Sequence, residues 1–252
     1  MKKIYTCAVI AALIAFPLLT LGQGRKSSLF SVDFGLNNTM ILNQNNYGNQ
    51  EMPYSPAFGF SGLVTYKHFI NKYGYSVGMG YANLGQKYSG DVAGTNAQRK
   101  INLNYLKVPL TMMYNLGGKH QQTWLSFGPQ VMILLTARQD FNRDIGRELP
   151  NPEFLINGNT NVINRFKPVD VMLNFEVTRI FAFWVTNIPP YRPAGKLMWS
   201  VAFDGAIGLT DINQKAYQLE NTHNVYASSH NFYLGMKIGL MLKTRVKDEE
   251  GF

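Results

Sequence analysis

The sequence predicts an all-β fold, an eight-stranded antiparallel up-and-down transmembrane β-barrel, on three observations. Apolar residues recur at every second position through about eight segments, which is the period of a strand with two unlike faces. Long polar connections alternate with short ones along the chain. The second face of each strand is rich in small residues with single charges at strand centres, and charged residues make up only 15% of the chain, fewer than the solvated face of a soluble sheet would carry.

The first segment is read as a secretory signal peptide over residues 1–22. Met1-Lys2-Lys3 precedes the apolar run Ala8 to Leu21, and Gly22 is small enough for a cleavage pocket. Pro17 and the shortness of the run argue against a retained helix, which needs about 20 apolar residues to cross a membrane. Cys7 is the sole cysteine and leaves with this leader, so a mature chain beginning near Gln23 has no internal disulfide, thiolate metal site or cysteine nucleophile. Loss of Lys2 and Lys3 lowers the formal charge from +9 to +7. The basic residues are spread thinly and do not form a stripe, so no nucleic acid is expected as partner. Phosphates of lipopolysaccharide or anionic periplasmic partners are the expected counter-charges, beside plain solubility as the other role of the net charge.

The elements follow in order. Phe30, Val32, Phe34 and Leu36 alternate with Ser31, Asp33 and Gly35; after the polar loop Asn37 to Pro56, the strand Ala57 to Phe69 sets Phe58, Phe60, Val64 and Tyr66 against Ser61, Thr65 and Lys67. Asn71-Lys72 turns into Tyr73 to Tyr81, whose aromatic and apolar residues oppose Gly74, Ser76, Gly78 and Gly80. Tyr88 to Lys100 reads as a polar loop. In the next strand Leu106, Val108, Leu110, Met112 and Tyr114 share one face, and Lys107, Pro109, Thr111 and Met113 the other. Thr123 to Thr136 is followed by the longest polar loop, Arg138 to Pro168, then by Val169 to Val177. The Pro-rich turn Asn187 to Gly195 leads to Leu197 to Leu209. The loop Asp211 to Ser228 precedes a last strand built on Phe232, Leu234, Met236, Ile238, Leu240 and Leu242.

One apolar face per strand and no helix to cover it leaves two architectures, a soluble barrel with the apolar faces inside or a membrane barrel with them toward lipid. The second faces decide for the membrane. Asp33, Lys107, Glu176, Asp204 and Lys237 sit at strand centres among small residues and are expected to form a polar network inside a narrow closed barrel. Closure also removes the strand edges that lipid does not tolerate. Tyr66, Tyr73, Tyr75, Tyr114, Trp124, Trp184 and Trp199 lie near strand ends, where interfacial aromatic girdles sit. Both termini and the short turns then face the periplasm, and the barrel spans residues 23–243 with a charged C-terminal tail over 244–252. Pro109 is expected to mark a bulge or a missing ladder bond.

The hexapeptide Tyr105-Leu106-Lys107-Val108-Pro109-Leu110 resembles a strand of the outer-membrane β-barrel proteins of Bacteroidetes, the broad family that includes PorT-like proteins. Looser matches are Val32 to Leu36, the Gly-Pro pair within Leu125 to Gln130, and Gly208-Leu209-Thr210-Asp211-Ile212. The resemblance implies an eight-stranded barrel in the cell outer membrane and a link to type IX protein secretion; it implies no defined activity. The tail Lys243 to Phe252 departs from the pattern in which a final aromatic closes the last strand.

Sites for chemistry are sparse. Asp140, Asn142, Asp144 and Gly146 approximate a calcium loop, but the glycine is one position late and Asn151 stands where a bidentate Glu belongs, so no metal is expected. Ser228 and His230 share one side of the last strand's outer end without an identified orienting group. His68 and His120 have no second ligand nearby in the sequence. The expected function is a non-enzymatic anchor or interaction subunit of the cell envelope, with no cofactor. Its expected partners are outer-membrane lipid, lipopolysaccharide and an envelope protein. The alternatives are a small passive porin-like barrel or a lipid A-modifying barrel enzyme.

Overall fold

A computed structural model of the chain describes residues 26–42, 54–92, 95–116, 123–143, 158–182, 197–218 and 226–247. Among these residues ten strands form one sheet: β1 (Lys26–Leu42), β2 (Tyr54–Ser55), β3 (Ala57–Ile70), β4 (Tyr73–Val92), β5 (Thr95–Asn115), β6 (Thr123–Arg143), β7 (Gly158–Asn161), β8 (Val169–Ala182), β9 (Leu197–Gly208) and β10 (His230–Lys247). Eight of them pair antiparallel in the cyclic order β1-β3-β4-β5-β6-β8-β9-β10, and β10 returns to β1 from Lys26↔Lys247 to Leu42↔His230. The sheet is therefore a closed up-and-down barrel, and the short β2 and β7 extend its rim beside β4 and β6.

Alternation fixes which side chains face out. Phe30, Val32, Phe34 and Leu36 of β1 are exposed while Ser31, Asp33 and Asn37 are buried. The same pattern holds around the ring, with Phe58, Leu110, Phe127, Phe175, Phe203 and Ile238 exposed on their strands. Phe34 and Leu36, 69% and 74% accessible, would be untenable in water as part of so large an apolar belt. They are at home against lipid chains. On β4 the belt runs from Tyr73 to Asn83, and about ten residues rising ~3.4 Å each at a tilt of ~40° cover roughly 26 Å, the height of the apolar band of an outer-membrane barrel.

Polar and aromatic rows bound the belt. At its outer edge Tyr81 Oη and Asn83 Nδ2 both donate to Asn104 Oδ1, at 2.7 and 2.6 Å, and Asn104 Nδ2 donates to Thr136 Oγ1 at 2.7 Å. At its other edge, beside the described chain ends, Ser28 Oγ bonds Tyr66 Oη at 3.0 Å and His68 Nδ1 at 2.9 Å, and Tyr73 packs on Tyr114 and Phe181 on Trp199.

Beyond the outer edge the apolar side of the strands changes face. On β5, Leu106, Val108 and Leu110 point outward, yet Ile101, Leu103 and Tyr105 point inward and are at most 1% accessible. Lipid surrounds the lower part of the strand and water the upper part, so the side that must be apolar switches from outside to inside. On β6 an irregularity opposite Asn104/Tyr105 lets Leu135 and Thr136 both face outward. It puts Arg138 outside, and Ala137 and Phe141 inside.

The strands are longer than the sequence suggested. Tyr88 to Lys100, read as a loop, is the tip of the β4–β5 hairpin, paired up to Val92↔Thr95. The expected loops at Asn37 and Arg138 likewise begin as strand, to Leu42 on β1 and to Arg143 on β6, and β10 continues through Lys247 into the expected tail. Trp124 is not in a girdle; it is buried in the lumen against Phe69, ring centroids 4.3 Å apart. Trp184, His120 and residues 1–22 lie outside the described residues. Pro109 has the expected effect toward β4, where pairing lapses between Val77↔Leu110 and Gly80↔Lys107, because proline has no N–H to donate; the lapse toward β6, between Pro109↔Gln130 and Met112↔Phe127, falls opposite Pro129 and Gly128 of that strand.

Candidate functional site

The lumen is filled in three layers. The layer nearest the described chain ends is apolar: Leu29, Phe69, Met113, Trp124, Ile180, Met198 and Met241 pack together. The outer layer is apolar too and larger, built on Leu84, Tyr88, Ile101, Leu103, Tyr105, Met132, Phe141, Phe166 and Ile212 with their neighbours. Between them lies the polar layer.

All five charged residues expected inside face the lumen, and four converge. Lys237 Nζ binds Glu176 Oε2 and lies 3.3 Å from Asp204 Oδ2; Lys107 Nζ lies 3.8 Å from the same oxygen and donates to Tyr233 Oη at 2.6 Å. Asp204 is fully buried and its carboxylate takes no hydrogen bond, so its compensation is the Coulombic field of the two lysines. Asp33 stands to one side, accepting from Ser31 Oγ at 2.9 Å and Thr65 Oγ1 at 3.5 Å. Glycines on the inner face make room for these long side chains. A Cβ on Gly239 would meet Asp33 Oδ1 at 2.0 Å, and one on Gly35 would meet Lys237 Cγ at 2.7 Å.

Sequence reasoning missed several members. Lys67 is buried in this layer, although its place on the inner face of β3 was legible. Asp170 and Arg99 are buried higher up; Asp170 accepts from Thr210 Oγ1 at 2.6 Å and Asn231 Nδ2 at 2.8 Å. Among the described residues the lumen thus holds the cations Lys67, Arg99, Lys107 and Lys237 against the anions Asp33, Asp170, Glu176 and Asp204. That balance lets a narrow, low-dielectric space tolerate so many charges. Tyr233 ties the layers together, donating to Gln130 Oε1 and accepting from Asn174 Nδ2, each at 3.3 Å, besides its bond from Lys107. Within the polar layer lies a cavity of about 20 Å³, lined by Lys67, Lys107, Glu176, Lys237 and Ser126 among others, room for roughly one water.

The outer mouth is covered by two crossing segments. The stretch from β7 to β8 and the stretch after β9 bond to each other through Lys167 N to Ile212 O at 2.7 Å and Gln214 N to Arg165 O at 2.9 Å. Asp211 anchors them. Its Oδ1 accepts from Asn213 N at 3.1 Å and Ser229 N at 3.2 Å, and its Oδ2 from Gln218 Nε2 at 2.6 Å and Tyr226 Oη at 2.8 Å. Lys167 Nζ donates to its carbonyl at 2.7 Å. Asp211 thereby gives the Gly208 to Ile212 motif a structural role.

The other candidate chemistry does not assemble. Asp140 and Asn142 stand in the extended ladder of β6, where Asp140 accepts from Asn159 Nδ2; Asp144, Gly146 and Asn151 lie outside the described residues. Ser228 is exposed, and the Nδ1 of His230 is buried without a hydrogen-bond partner, so the two are not coupled as nucleophile and base. Among the described residues no cluster of His, Cys, Asp and Glu could hold a metal ion.

Comparison with curated proteins finds no match. Among solved structures the chain is similar to Neisserial surface protein A, at 11% identity and a TM-score of 0.34, with 84% of this chain and 96% of that chain covered. It is similar to Ail, the attachment invasion locus protein of Yersinia pestis, solved with the heparin analogue sucrose octasulfate, at 7% identity and a TM-score of 0.36, covering 87% and 99%. The translocator domain of the autotransporter NalP from Neisseria meningitidis aligns at 7% identity and a TM-score of 0.34, covering 96% of each chain. Residues 22–247 match the family described as outer membrane protein beta-barrel domain. The chain belongs to that family and is a protein of the outer membrane.

Proposed function

We propose that the protein is a non-enzymatic anchor or interaction subunit of the cell envelope, one component of a larger assembly at the outer membrane. The observation that carries this reading is the filled lumen. Two apolar layers enclose a charge-balanced polar layer with a cavity of about 20 Å³, so the barrel serves as a rigid post. What it offers a partner is the wall formed by β4, β5 and β6, which rises past the outer edge of the apolar belt. The hexapeptide Tyr105 to Leu110 supports a place among the PorT-like barrels of Bacteroidetes and so a role beside type IX secretion. Residues 1–22 are the signal peptide that brings the chain to the periplasm. Outer-membrane lipid and lipopolysaccharide surround it, and an envelope protein is its specific partner.

The lumen network of Asp33, Lys107, Glu176, Asp204 and Lys237 is structural in this reading. Affinity purification from native outer membrane in mild detergent tests the proposal. A stoichiometric envelope protein is expected; recovery of the barrel alone would overturn the subunit role. Mass spectrometry of lipid A from cells with and without the protein is expected to show unchanged acyl chains, and an altered chain would make it an enzyme.

A further inference from the structure

We infer that the outward face of the β4–β5–β6 wall, just above the apolar belt, seats a phosphate group of an outer-leaflet lipid between Lys87, Lys100 and Arg138. This rests on the outer-membrane setting and on lipopolysaccharide as the surrounding lipid. The register builds the site. Above the polar row Asn83, Asn104, Thr136, the next outward row is Gly85↔Asn102↔Arg138, and the one above it is Lys87↔Lys100↔Asp140. These rows lie two and four residues along the strands, roughly 5 and 10 Å above the belt for a rise of ~3.4 Å and a tilt of ~40°. The headgroup region of each leaflet is about 5–8 Å deep, so Arg138 lies within it, and the backbone of the two lysines lies ~2 Å or more beyond it, a gap that a long, flexible lysine side chain can span.

The charges are arranged against the interest of the fold. Lys87 and Lys100 are cross-strand partners, and like charges directly opposite each other destabilise a sheet. Both are exposed, as is Arg138, and among the described residues none of the three forms an ion pair. The acid on this face, Asp140 beside Lys100, accepts instead from Asn159 Nδ2. A groove of about 520 Å³ is lined by both lysines, by the Asp140 carboxylate and by the amides of Gln98, Asn142 and Asn159, with Arg138 one outward row below it. A phosphate monoester relieves the Lys87–Lys100 repulsion, takes a forked contact from the Arg138 guanidinium and accepts from amide donors. The outward aim of all three cations at headgroup height favours a phosphate borne on lipid over one free in solution.

The mature chain, refolded in dodecyl maltoside, is titrated with bisphosphorylated lipid A and with the same lipid A stripped of phosphate, and binding is read by native mass spectrometry. The wild type is expected to prefer the phosphorylated form by about tenfold or more, with the preference falling as salt rises. Lys87→Ala/Lys100→Ala/Arg138→Ala should abolish the preference. Lys87→Glu should weaken it while leaving the unfolding midpoint unchanged or raised, since the new carboxylate faces Lys100; that keeps misfolding apart from loss of the site. Equal binding of the two lipids by the wild type, or an undiminished preference in the triple variant, would overturn the inference. Displacement of lipid A by equimolar inorganic phosphate would overturn its lipid source. An envelope partner recovered in the purification above, together with failure here, sinks the lipid site and leaves the subunit role standing.

Discussion

Asp204→Asn probes the lumen most sharply. The carboxylate is fully buried, takes no hydrogen bond, and faces Lys237 Nζ at 3.3 Å and Lys107 Nζ at 3.8 Å. At an effective dielectric constant of about 20 these distances correspond to attractions of about 5 and about 4 kcal/mol. Removing the charge also removes its own desolvation penalty of several kcal/mol, so the net cost expected is about 3–5 kcal/mol, as for other buried pairs broken from one side. Most of it comes from Lys107, whose ion pair is with Asp204; Lys237 keeps Glu176. Lys107→Met/Asp204→Asn removes the stranded cation as well and should cost less than the sum of the single changes by about 2–3 kcal/mol. The assay is reversible urea unfolding of the barrel in lipid vesicles, followed by the fluorescence of the buried Trp124 and its companions. A cost below about 1 kcal/mol for Asp204→Asn, or strict additivity of the pair, would refute the reasoning.

Five further substitutions sort the two faces and the cap. Gly239→Ala should destabilise by about 1–3 kcal/mol because its Cβ would meet Asp33 Oδ1 at 2.0 Å, whereas Gly62→Ala, whose Cβ touches only the Phe34 ring at 3.8 Å, should stay within about 0.5 kcal/mol in the same urea assay. Phe34→Arg in the middle of the apolar belt should cost about 2–4 kcal/mol, and Asn38→Arg near its outer edge about 0–1 kcal/mol; equal costs would misplace the membrane. Asp211→Ala strips acceptors from Asn213, Gln218, Tyr226 and Ser229. It should open the outer cap to protease in sealed proteoliposomes while the barrel itself stays resistant.

Much of this was legible in the sequence because lipid imposes one rule on every strand. Leu106, Val108 and Leu110 had to face out, and Lys107 between them had to face in. What escaped were the places where the rule changes. The stretch Tyr88 to Lys100 looks like a loop when one searches for an apolar outward face. Its alternation is intact, however, with Ala97, Arg99 and Ile101 inward and Gln98 and Lys100 outward. The solvent outside that part of the strand is water, so the polar side is the outer one. The switch is written in Ile101 to Leu110, where the apolar residues move from odd to even positions between Tyr105 and Leu106. Trp124 was misplaced for a related reason. A tryptophan near a strand end suits either a girdle or a lumen plug, and only the register with Thr178 and Asn115 aims it inward. The convergence of Lys107, Lys237, Glu176 and Asp204 depends on the stagger between strands far apart in sequence, which no single-strand pattern encodes.

The central claim is that the barrel is closed by its own side chains. Single-channel recording of the refolded mature protein in a planar lipid bilayer tests it most directly. No steady current above the bilayer leak is expected at either polarity, and a steady, reproducible open level from the wild-type protein would contradict closure.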